Sequence, residues 1–341
     1  MAAIAAADSV KLQTRWIVQG MFDNPRLAAL IASGAFNTKT FKEAYPDING
    51  FKPGQVLTIP QFSSAPDFSR VDRSSTGDRS FTDVSAYTQS FPIISDSSDQ
   101  SWNRYDELST GESFKGSFEQ TVGNKMAKRL LGQTGRILSG ALKSASPSLT
   151  ADYTGNKLNV QRLVAAKAIA GDQGENLTVL IAHSRVLNDL LNDLTQNQKY
   201  NVLSGQYLLD GQIKNVLGID YVIPSDQMPV TSAAFPSVSD DIYESFLLRG
   251  GMAGGIDGAM FLGYQEEMKY EYFELPTKEV SKRYIRNYME YVLAPRGFTY
   301  SAATTNPTDA NLADSTKWTE QTEDARNIGA IRILSAGYGG L

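Results

Sequence analysis

The strongest periodic pattern of apolar and polar residues lies between residues 109 and 143. Mostly apolar side chains recur there about every fourth position: Phe114, Phe118, Val122, Met126, Leu130, Leu131, Thr134, Leu138 and Ala141. This period places them on one face of an α-helix about 50 Å long, at ~1.5 Å per residue. Ser109 and Glu112 have the spacing of a capping box at its start.

Five glycines interrupt this predicted helix. They are Gly116, Gly123, Gly132, Gly135 and Gly140. Glycine costs about 1 kcal/mol relative to alanine inside a helix, so the helix should be intrinsically weak. Because glycine has no Cβ, it also permits a bend or the close approach of another backbone.

The second half of the chain alternates short apolar blocks with amphipathic stretches. Short buried strands are predicted at residues 177–182, 219–223, 246–248 and 328–334. Helices are predicted around residues 163–169 and 186–194, where apolar residues follow the helical period. Residues 266–300 alternate and are rich in aromatic side chains, which predicts long antiparallel strands. Together these elements predict a mixed α+β fold.

The first 60 residues contain two local signals. A proline followed by apolar residues at helical spacing predicts a short helix from Pro25 to Gly34. Residues 50–60 have the pattern of a turn and a short strand, which Pro60 is expected to end because proline cannot donate a ladder hydrogen bond.

Residues 61–108 have a different composition, rich in serine, threonine and aspartate with few apolar residues. A segment of this kind cannot bury enough surface to fold by itself. It is therefore predicted to be either disordered or an extended hairpin that needs a neighbour's surface.

The composition argues against most kinds of catalytic or metal site. Cysteine is absent, which excludes disulfides and thiolate zinc sites. The one histidine, His183, has no Gly-x-Ser-x-Gly motif to serve, so we interpret it as a polar residue at a strand-to-helix junction. The net charge of −5 argues against tight nucleic-acid binding by the whole chain. No stretch approaches the ~18 apolar residues of a membrane-spanning helix.

Two further motifs are better explained by structure than by ligand binding. The glycine-rich residues 250–258 match neither the dinucleotide nor the Walker spacing, and close packing is the better interpretation. Residues 72–83 resemble part of an EF-hand loop but lack its middle ligands and its bidentate glutamate. We predict no catalytic residue, no cofactor and no bound metal.

Charge is distributed unevenly between two neighbouring segments. Residues 62–108 contain eight acidic and four basic side chains, a net charge of −4, whereas residues 109–143 have a net charge of +4. Such segments form complementary surfaces, which we expect to lie on different subunits. The candidate contact residues are Arg70, Asp72, Arg73, Asp78, Arg79 and Asp83 in the acidic segment and Lys125, Lys128, Arg129 and Arg136 in the basic one.

Several short motifs between residues 50 and 335 occur in a characteristic order. They are Ala170-Gly171-Asp172, Ile181-Ala182-His183-Ser184, Gly218-Ile219-Asp220-Tyr221-Val222-Ile223-Pro224-Ser225-Asp226, Met228-Pro229, Ala294-Pro295-Arg296-Gly297, and Asn306-Pro307-Thr308 followed by Leu312 and Trp318. With the polar hairpin and the long helix, they resemble the major capsid proteins of tailed bacteriophages with the Hong Kong phage-type fold. At position 294 the family pattern has histidine, whereas this chain has alanine. We interpret this position as structural, so the difference changes little in the expected function.

The resemblance implies a division of this α+β chain into named parts. These are an N-terminal arm (1–45), a P-domain with a spine helix (46–60 and 109–156), an E-loop (61–108), an A-domain (157–275), the long P-domain strands (276–300) and a C-terminal loop and strand returning to the A-domain (301–341). It also implies that the E-loop lies over a neighbour's P-domain.

The function implied by the resemblance is structural. Copies would assemble as hexamers and pentamers into an icosahedral head around double-stranded DNA, formed in the bacterial cytoplasm. Portal and scaffolding proteins are expected partners, a decoration protein is possible, and DNA would be contacted weakly. Because residues 61–108 contain no lysine, no covalent crosslinking of the type member's kind is expected. The alternative is an encapsulin-like compartment that encloses protein cargo.

Overall fold

The computed structural model describes residues 18, 20–40, 43, 56–62, 86–103, 114–145, 148–196, 218–231, 240–251, 258–265, 269–276, 281–301, 306–322 and 325–338. The helices of eight or more residues in this part are α1 (Pro25–Ala32), α2 (Phe114–Ser144), α3 (Val160–Ile169) and α4 (Ser184–Gln196), and α5 (Asp309–Ala313) is shorter. The strands are β1 (Phe36–Thr40), β2 (Val56–Phe62), β3 (Ala86–Pro92), β4 (Ile94–Asn103), β5 (Thr150–Tyr153), β6 (Leu177–Ala182), β7 (Tyr221–Pro224), β8 (Val230–Thr231), β9 (Asp240–Arg249), β10 (Met260–Tyr264), β11 (Lys269–Pro276), β12 (Ser281–Pro295), β13 (Phe298–Tyr300), β14 (Trp318–Glu320) and β15 (Ala330–Tyr338).

The long helix predicted from the apolar stripe is confirmed as α2. Its buried apolar side chains follow the helical period: Val122, Met126, Ala127, Leu130, Leu131, Ile137, Leu138, Ala141 and Leu142. The helix packs on β12 of one sheet and on β9 and β15 of another. It therefore joins the two sheets into one core. Ser109 and Glu112, the proposed capping box, lie outside the described residues.

Two glycines of α2 lie where neighbouring chain comes too close for a larger residue. A Cβ on Gly140 would lie 2.5 Å from the carbonyl oxygen of Leu312, and a Cβ on Gly135 would lie 2.8 Å from Cδ of Pro229. The nearest atoms to a Cβ on Gly132 would be 3.4 Å away, an ordinary contact. The close approach suggested by the sequence is thus found at two of these positions.

The first sheet is built around β12. Strands β10 and β11 pair along one edge of β12, and β4 pairs along the other. Strand β1 extends the sheet by parallel pairing with β10. The long antiparallel strands predicted within residues 266–300 are confirmed.

Strand β4 corrects the sequence interpretation of the acidic segment as a whole. Residues 94–103 were expected to be disordered or part of a hairpin that folds only on a neighbour. They instead pair with β12 of the same chain along their whole length, from Ile94 opposite Tyr291 to Asn103 opposite Lys282. The sequence hides this strand because the surface it needs is supplied by residues almost 190 positions away.

The hairpin itself consists of β2 and β3. The sequence predicted that the first strand ends at Pro60, which is wrong, since β2 continues to Phe62 and Pro60 lies opposite Thr88. Among the described residues this is a two-stranded sheet, so each strand has an edge at which no backbone N–H is required. Residues 63–85, which link the strands, lie outside the described residues.

The second sheet has the order β5-β15-β9-β6-β7, with β8 also pairing with β9. The buried strands predicted at residues 177–182 and 246–248 are confirmed as β6 and as part of β9, and the last predicted strand is β15. Helix α3 packs on β5 and β15, and α4 packs on β15. A second apolar core fills the space between these helices and the sheet.

The described ends of the glycine-rich stretch pack backbone against backbone. A Cβ on Gly251 would lie 2.6 Å from the carbonyl oxygen of Gly34, and a Cβ on Gly258 would lie 2.5 Å from the same atom. Close packing against the end of α1, and not phosphate binding, therefore accounts for these two glycines.

The substitution Gly140→Ala should destabilise the subunit even though alanine is the better helix former. We expect a loss of about 1–3 kcal/mol in the free energy of unfolding, because the new Cβ meets a carbonyl oxygen of fixed backbone. Gly132→Ala, on the same helix with ordinary contacts, should be neutral or stabilising by up to about 1 kcal/mol. Urea denaturation of both variants checks this, and equal effects would contradict it.

Candidate assembly site

The structure describes four of the ten candidate contact residues. Arg70, Asp72, Arg73, Asp78, Arg79 and Asp83 lie outside the described residues. On α2, Lys125 and Lys128 are exposed, whereas Arg129 and Arg136 are partly buried. The helix therefore separates two exposed cations from two that contact the rest of the subunit.

The carboxylate of Asp309 binds three side chains that lie on one side of α2. Arg129 donates two hydrogen bonds of 2.7 Å to Asp309, Gln133 Nε2 donates one of 2.7 Å, and Nη1 of Arg136 lies 3.3 Å away. These helical positions are four and three residues apart, so they share one side of the helix. Asp309 begins α5, whose N-cap is the side chain of Thr308.

Ionisation of Asp309 is favoured by its partners. Partial burial raises the pKa of the carboxyl group, but the hydrogen bonds from Arg129 and Gln133 outweigh this, and the pKa lies below its usual value. For Arg129, burial lowers the pKa, and the bonds to Asp309 and Asp96 more than compensate, so the pKa is raised. Both groups are therefore charged at neutral pH.

Asp96 of β4 completes this network inside the subunit. Its Oδ2 accepts a 3.2 Å bond from Nε of Arg129 and a 2.6 Å bond from the hydroxyl of Tyr291. Burial, reinforced by the nearby Asp96 carboxylate, raises the pKa of the Tyr291 hydroxyl well above its usual value. Asp99 of the same strand pairs with Arg286 at 2.8 and 3.1 Å.

These hydrogen bonds leave the acidic segment and the basic helix with fewer charged side chains that can bind a neighbouring subunit. Asp96 belongs to the acidic segment and Arg129 to the basic one, so part of the predicted complementarity is satisfied within the chain. Residues 63–85 contain four aspartates and three arginines, a net charge of only −1. Within the described chain no carboxylate lies within ion-pair distance of Lys125 or Lys128.

Lys128 lies at a depression where three parts of the subunit meet. Its volume is about 190 Å³, and its walls come from α1, α2 and the loop after β7: Asn24, Pro25, Arg26, Lys128, Leu131, Ser225, Asp226 and Gln227. Asn24 holds α1 to α2 through a 3.2 Å bond to Asn124. Arg26 and Lys128 contribute positive charge to the depression, and Asp226 contributes negative charge close to Arg26.

A second ion pair ties the end of α2 to the second sheet. Arg332 on β15 donates bonds of 2.9 and 2.7 Å to Glu244 on β9, and Nζ of Lys143 lies 3.6 Å from the same carboxylate. Burial raises the pKa of Glu244, but the Arg332 bonds outweigh it and the pKa is lowered. Sequence reasoning missed this pair, because the two residues are 88 positions apart and neither belongs to a local motif.

The surroundings of His183 support a structural role. Its Nδ1 accepts a 3.2 Å bond from the backbone N–H of Arg185, and Nε2 lies 3.9 Å from Asp226 Oδ1. The hydroxyl of Ser184 donates to Asp226 and not to His183. Burial lowers the pKa of the imidazole. This arrangement caps the start of α4 and contains no serine–histidine pair.

The described residues contain no group of three or more histidine, aspartate or glutamate side chains placed to hold a metal ion. None of their helices is long and apolar enough to cross a membrane.

Replacing Asp309 by asparagine should destabilise the subunit by about 1–2 kcal/mol, because Arg129 and Arg136 lose a charged acceptor that is partly exposed. The lowered folded-state pKa means that Asp309 contributes stability above the usual aspartate pKa of about 3.9 and loses it as the pH falls. Denaturant midpoints measured from pH 7 to pH 3 check this. Asp172→Asn, at an exposed position, is the control, and an identical loss in both variants at pH 7 would contradict the role of Asp309.

Comparisons with known proteins give a family and a fold. A family model described as major capsid protein 13-like matches residues 70–330. A search of curated proteins found no match. The capsid of Ralstonia phage GP4 is 9% identical, with a TM-score of 0.56 over 91% of this chain and 89% of that chain.

Two other solved structures are similar in the same way. The head of Helicobacter pylori bacteriophage KHP40 is 8% identical, with a TM-score of 0.55 over 88% of each chain. The SrpI encapsulin of Synechococcus elongatus PCC 7942 is 10% identical, with a TM-score of 0.53 over 93% of this chain and 89% of that chain. At such identities the likeness shows the fold, which is the expected α+β capsid fold.

Proposed function

The chain belongs to the major capsid protein 13-like family, and on this basis we propose that its copies assemble as hexamers and pentamers into an icosahedral head around phage double-stranded DNA. It is a structural protein of the virion capsid, not an enzyme, and it associates with itself into capsomers. The observation that carries the proposal is the family match, which spans most of the chain. The α+β capsid fold supports it.

The remaining partners follow from the same proposal. A head that fills with DNA requires a portal, and a scaffolding protein would direct its assembly in the host cytoplasm. A decoration protein could bind outside. DNA contact would be weak and non-specific, because a chain with a net charge of −5 gains little from phosphate neutralisation.

An encapsulin-like compartment remains the second candidate, because the Synechococcus encapsulin shares this fold. A fold alone does not specify contents. The two functions differ in what the shell encloses, which is DNA in a head and protein in a compartment.

Expression of the chain should yield capsomers or closed shells with fivefold and sixfold clusters, visible by cryo-electron microscopy. A denaturing gel should show only the 37.3 kDa monomer, because residues 56–108, which include the proposed E-loop, contain no lysine for an isopeptide bond. Monomers alone at high concentration would contradict assembly by this chain. A ladder of covalent oligomers would contradict the uncrosslinked shell, and co-purified protein cargo would favour the compartment.

The proposed division of the chain assigns each part a task. In this proposal the E-loop would be the hairpin β2–β3 with residues 63–85, shorter than the expected 61–108 because β4 pairs with β12. The first sheet and α2 would be the P-domain, including β1, β10 and β11, which were expected in the arm and the A-domain. The second sheet with α3 and α4 would be the A-domain around the symmetry axes. We propose that the E-loop of one copy lies on α2 of a neighbour. Of the four candidate residues on α2, only Lys125 and Lys128 would contact it. Arg129 and Arg136 already bind Asp309 of their own chain.

Substitution of Lys125 and Lys128 therefore tests the docking. Lys125→Glu with Lys128→Glu should lower shell yield at least tenfold at low salt, with a smaller difference at high salt, because exposed charges are screened there. Lys39→Glu with Lys317→Glu changes the net charge equally on other elements and is the control. Light scattering over a salt series measures yield. Normal assembly of the first pair, with unchanged stability, would overturn the docking site.

A further inference from the structure

We propose that the outer edge of β4, the edge that does not pair with β12, binds the same edge of a second copy, as two antiparallel strands related by a two-fold axis. The proposal rests on the proposed function, which puts copies in fivefold and sixfold rings but does not say what joins one ring to the next. A two-fold contact between β4 strands would join copies that belong to neighbouring capsomers.

Strand β4 has one edge on β12, and its outer edge pairs with no strand in the part of the chain that the structure describes. With ten residues it is the longest of the described edge strands. The other edge strands of the two large sheets have two to eight residues: β1, β5, β7, β8 and β11. An open strand edge presents backbone N–H and C=O groups that can pair with another chain.

The hydrogen bonds of Asn306 show which backbone groups of β4 point outward. The N–H of Ser95 donates to Oδ1 of Asn306 at 3.1 Å, and Nδ2 of Asn306 donates to the carbonyl oxygen of Ser95 at 3.2 Å. The Asn306 side chain thus makes the two bonds that a residue of an added strand would make. Since the backbone groups of alternate residues point the same way, those of Ser97, Asp99 and Ser101 also point outward. All three residues are exposed.

Beyond Asn306, the edge lacks the features that usually prevent strand pairing, such as lysine, proline or a bulge. Strand β4 contains neither lysine nor proline, and its register with β12 is continuous over its whole length. The carboxylate of Asp99 is bound by Arg286, and that of Asp96 by Arg129. The edge is therefore open and carries no uncompensated charge.

Asn306 also limits the register of an added strand. Because its side chain occupies the outer edge at the start of β4, a partner strand can pair only with residues 97–103. For two identical antiparallel strands, this stretch pairs with itself when Gln100 lies at the two-fold axis, opposite the same residue of the second copy. Asp99 then lies opposite Ser101, so no two like charges face each other.

A second copy of the chain fits this edge because both copies bring the same open stretch, and one pairing satisfies both edges. In a two-fold contact the same patch meets itself. The axis of such an antiparallel strand pair is perpendicular to the sheet. Helix α2 packs on β12, so α2 of both copies lies on the same side of the joined sheet. A shell requires this, because every copy must turn the same face to the inside.

Cysteine substitution tests the contact, because the natural chain has no cysteine. Gln100→Cys places two thiols across the axis with their Cα atoms about 4.5 Å apart, within the range of a disulfide. Assembled protein is oxidised with diamide and separated on a non-reducing gel, where a covalent dimer and no larger product is expected. The control is Ser97→Cys, an exposed position on the same strand. Its two copies would lie about 20 Å apart, at ~3.3 Å per residue, so this variant should remain monomeric.

Hydrogen exchange of the unsubstituted chain, resolved to single amides by mass spectrometry, gives a second measurement that needs no variant. The amides of Ser97, Asp99 and Ser101 should exchange at least tenfold more slowly after assembly, because each gains a carbonyl partner. Those of Ser98 and Gln100 point toward β12 and should be slow before and after. This alternation identifies strand pairing, because a contact through side chains would not distinguish the two sets of amides.

Other results would overturn the contact. If Ser97→Cys crosslinks as readily as Gln100→Cys, the dimers come from random collisions. If the outward amides gain protection but Gln100→Cys gives no dimer, a different segment and not a second β4 occupies the edge. If shells form and the outward amides stay unprotected, the edge remains open in the assembly.

The same experiments separate the contact from the proposed function. Shells that form without a disulfide dimer would refute the β4 contact and leave the capsid function standing. Disulfide dimers of Gln100→Cys from a chain that forms no rings or shells would support the contact and refute the proposed function.

Discussion

The packing of α2 between the two sheets is the interaction on which the rest of the subunit depends. One helix supplies buried side chains to the first sheet through β12 and to the second through β9 and β15. It can do so because glycines at positions 135 and 140 let chain from two other regions lie directly on its backbone. A larger residue at either position would move the helix away from these regions and weaken its packing against both sheets.

Charged groups determine how this helix is oriented. Asp309 and Asp96 hold Arg129 from two sides, and Glu244 with Arg332 holds the other end of α2 near Lys143. Each carboxylate is at least partly buried and each is bound by a guanidinium, so removing one partner leaves a charge without compensation. These pairs are therefore better suited to orienting α2 than to adding net stability.

Because ion pairs within the subunit occupy several charged side chains, fewer charged side chains can contact neighbouring copies during assembly. Once Asp96 and Asp99 have internal partners, the E-loop proposed for docking is nearly neutral, and Lys125 and Lys128 are the exposed cations of the candidate set. Ion pairs between exposed side chains contribute little and are screened by salt, so docking through these residues would be weak.

The sequence alone determined the local elements and, through ordered motifs, the family resemblance. Three of these signals each span a few residues, so they are visible without a structure. They are the helical period of α2, the apolar run of β6 and the proline that begins α1. The tertiary structure decided which distant segments meet. Strand β4 is almost entirely polar, and only its pairing with β12 shows that it belongs to a sheet. Asp309 and Arg129 are 180 positions apart, and a contact at that distance leaves no periodic trace in one sequence. The same holds for the predicted match of acidic and basic segments. Composition indicated that the charges are complementary, but whether they meet within one subunit or between two depends on where the chain folds back.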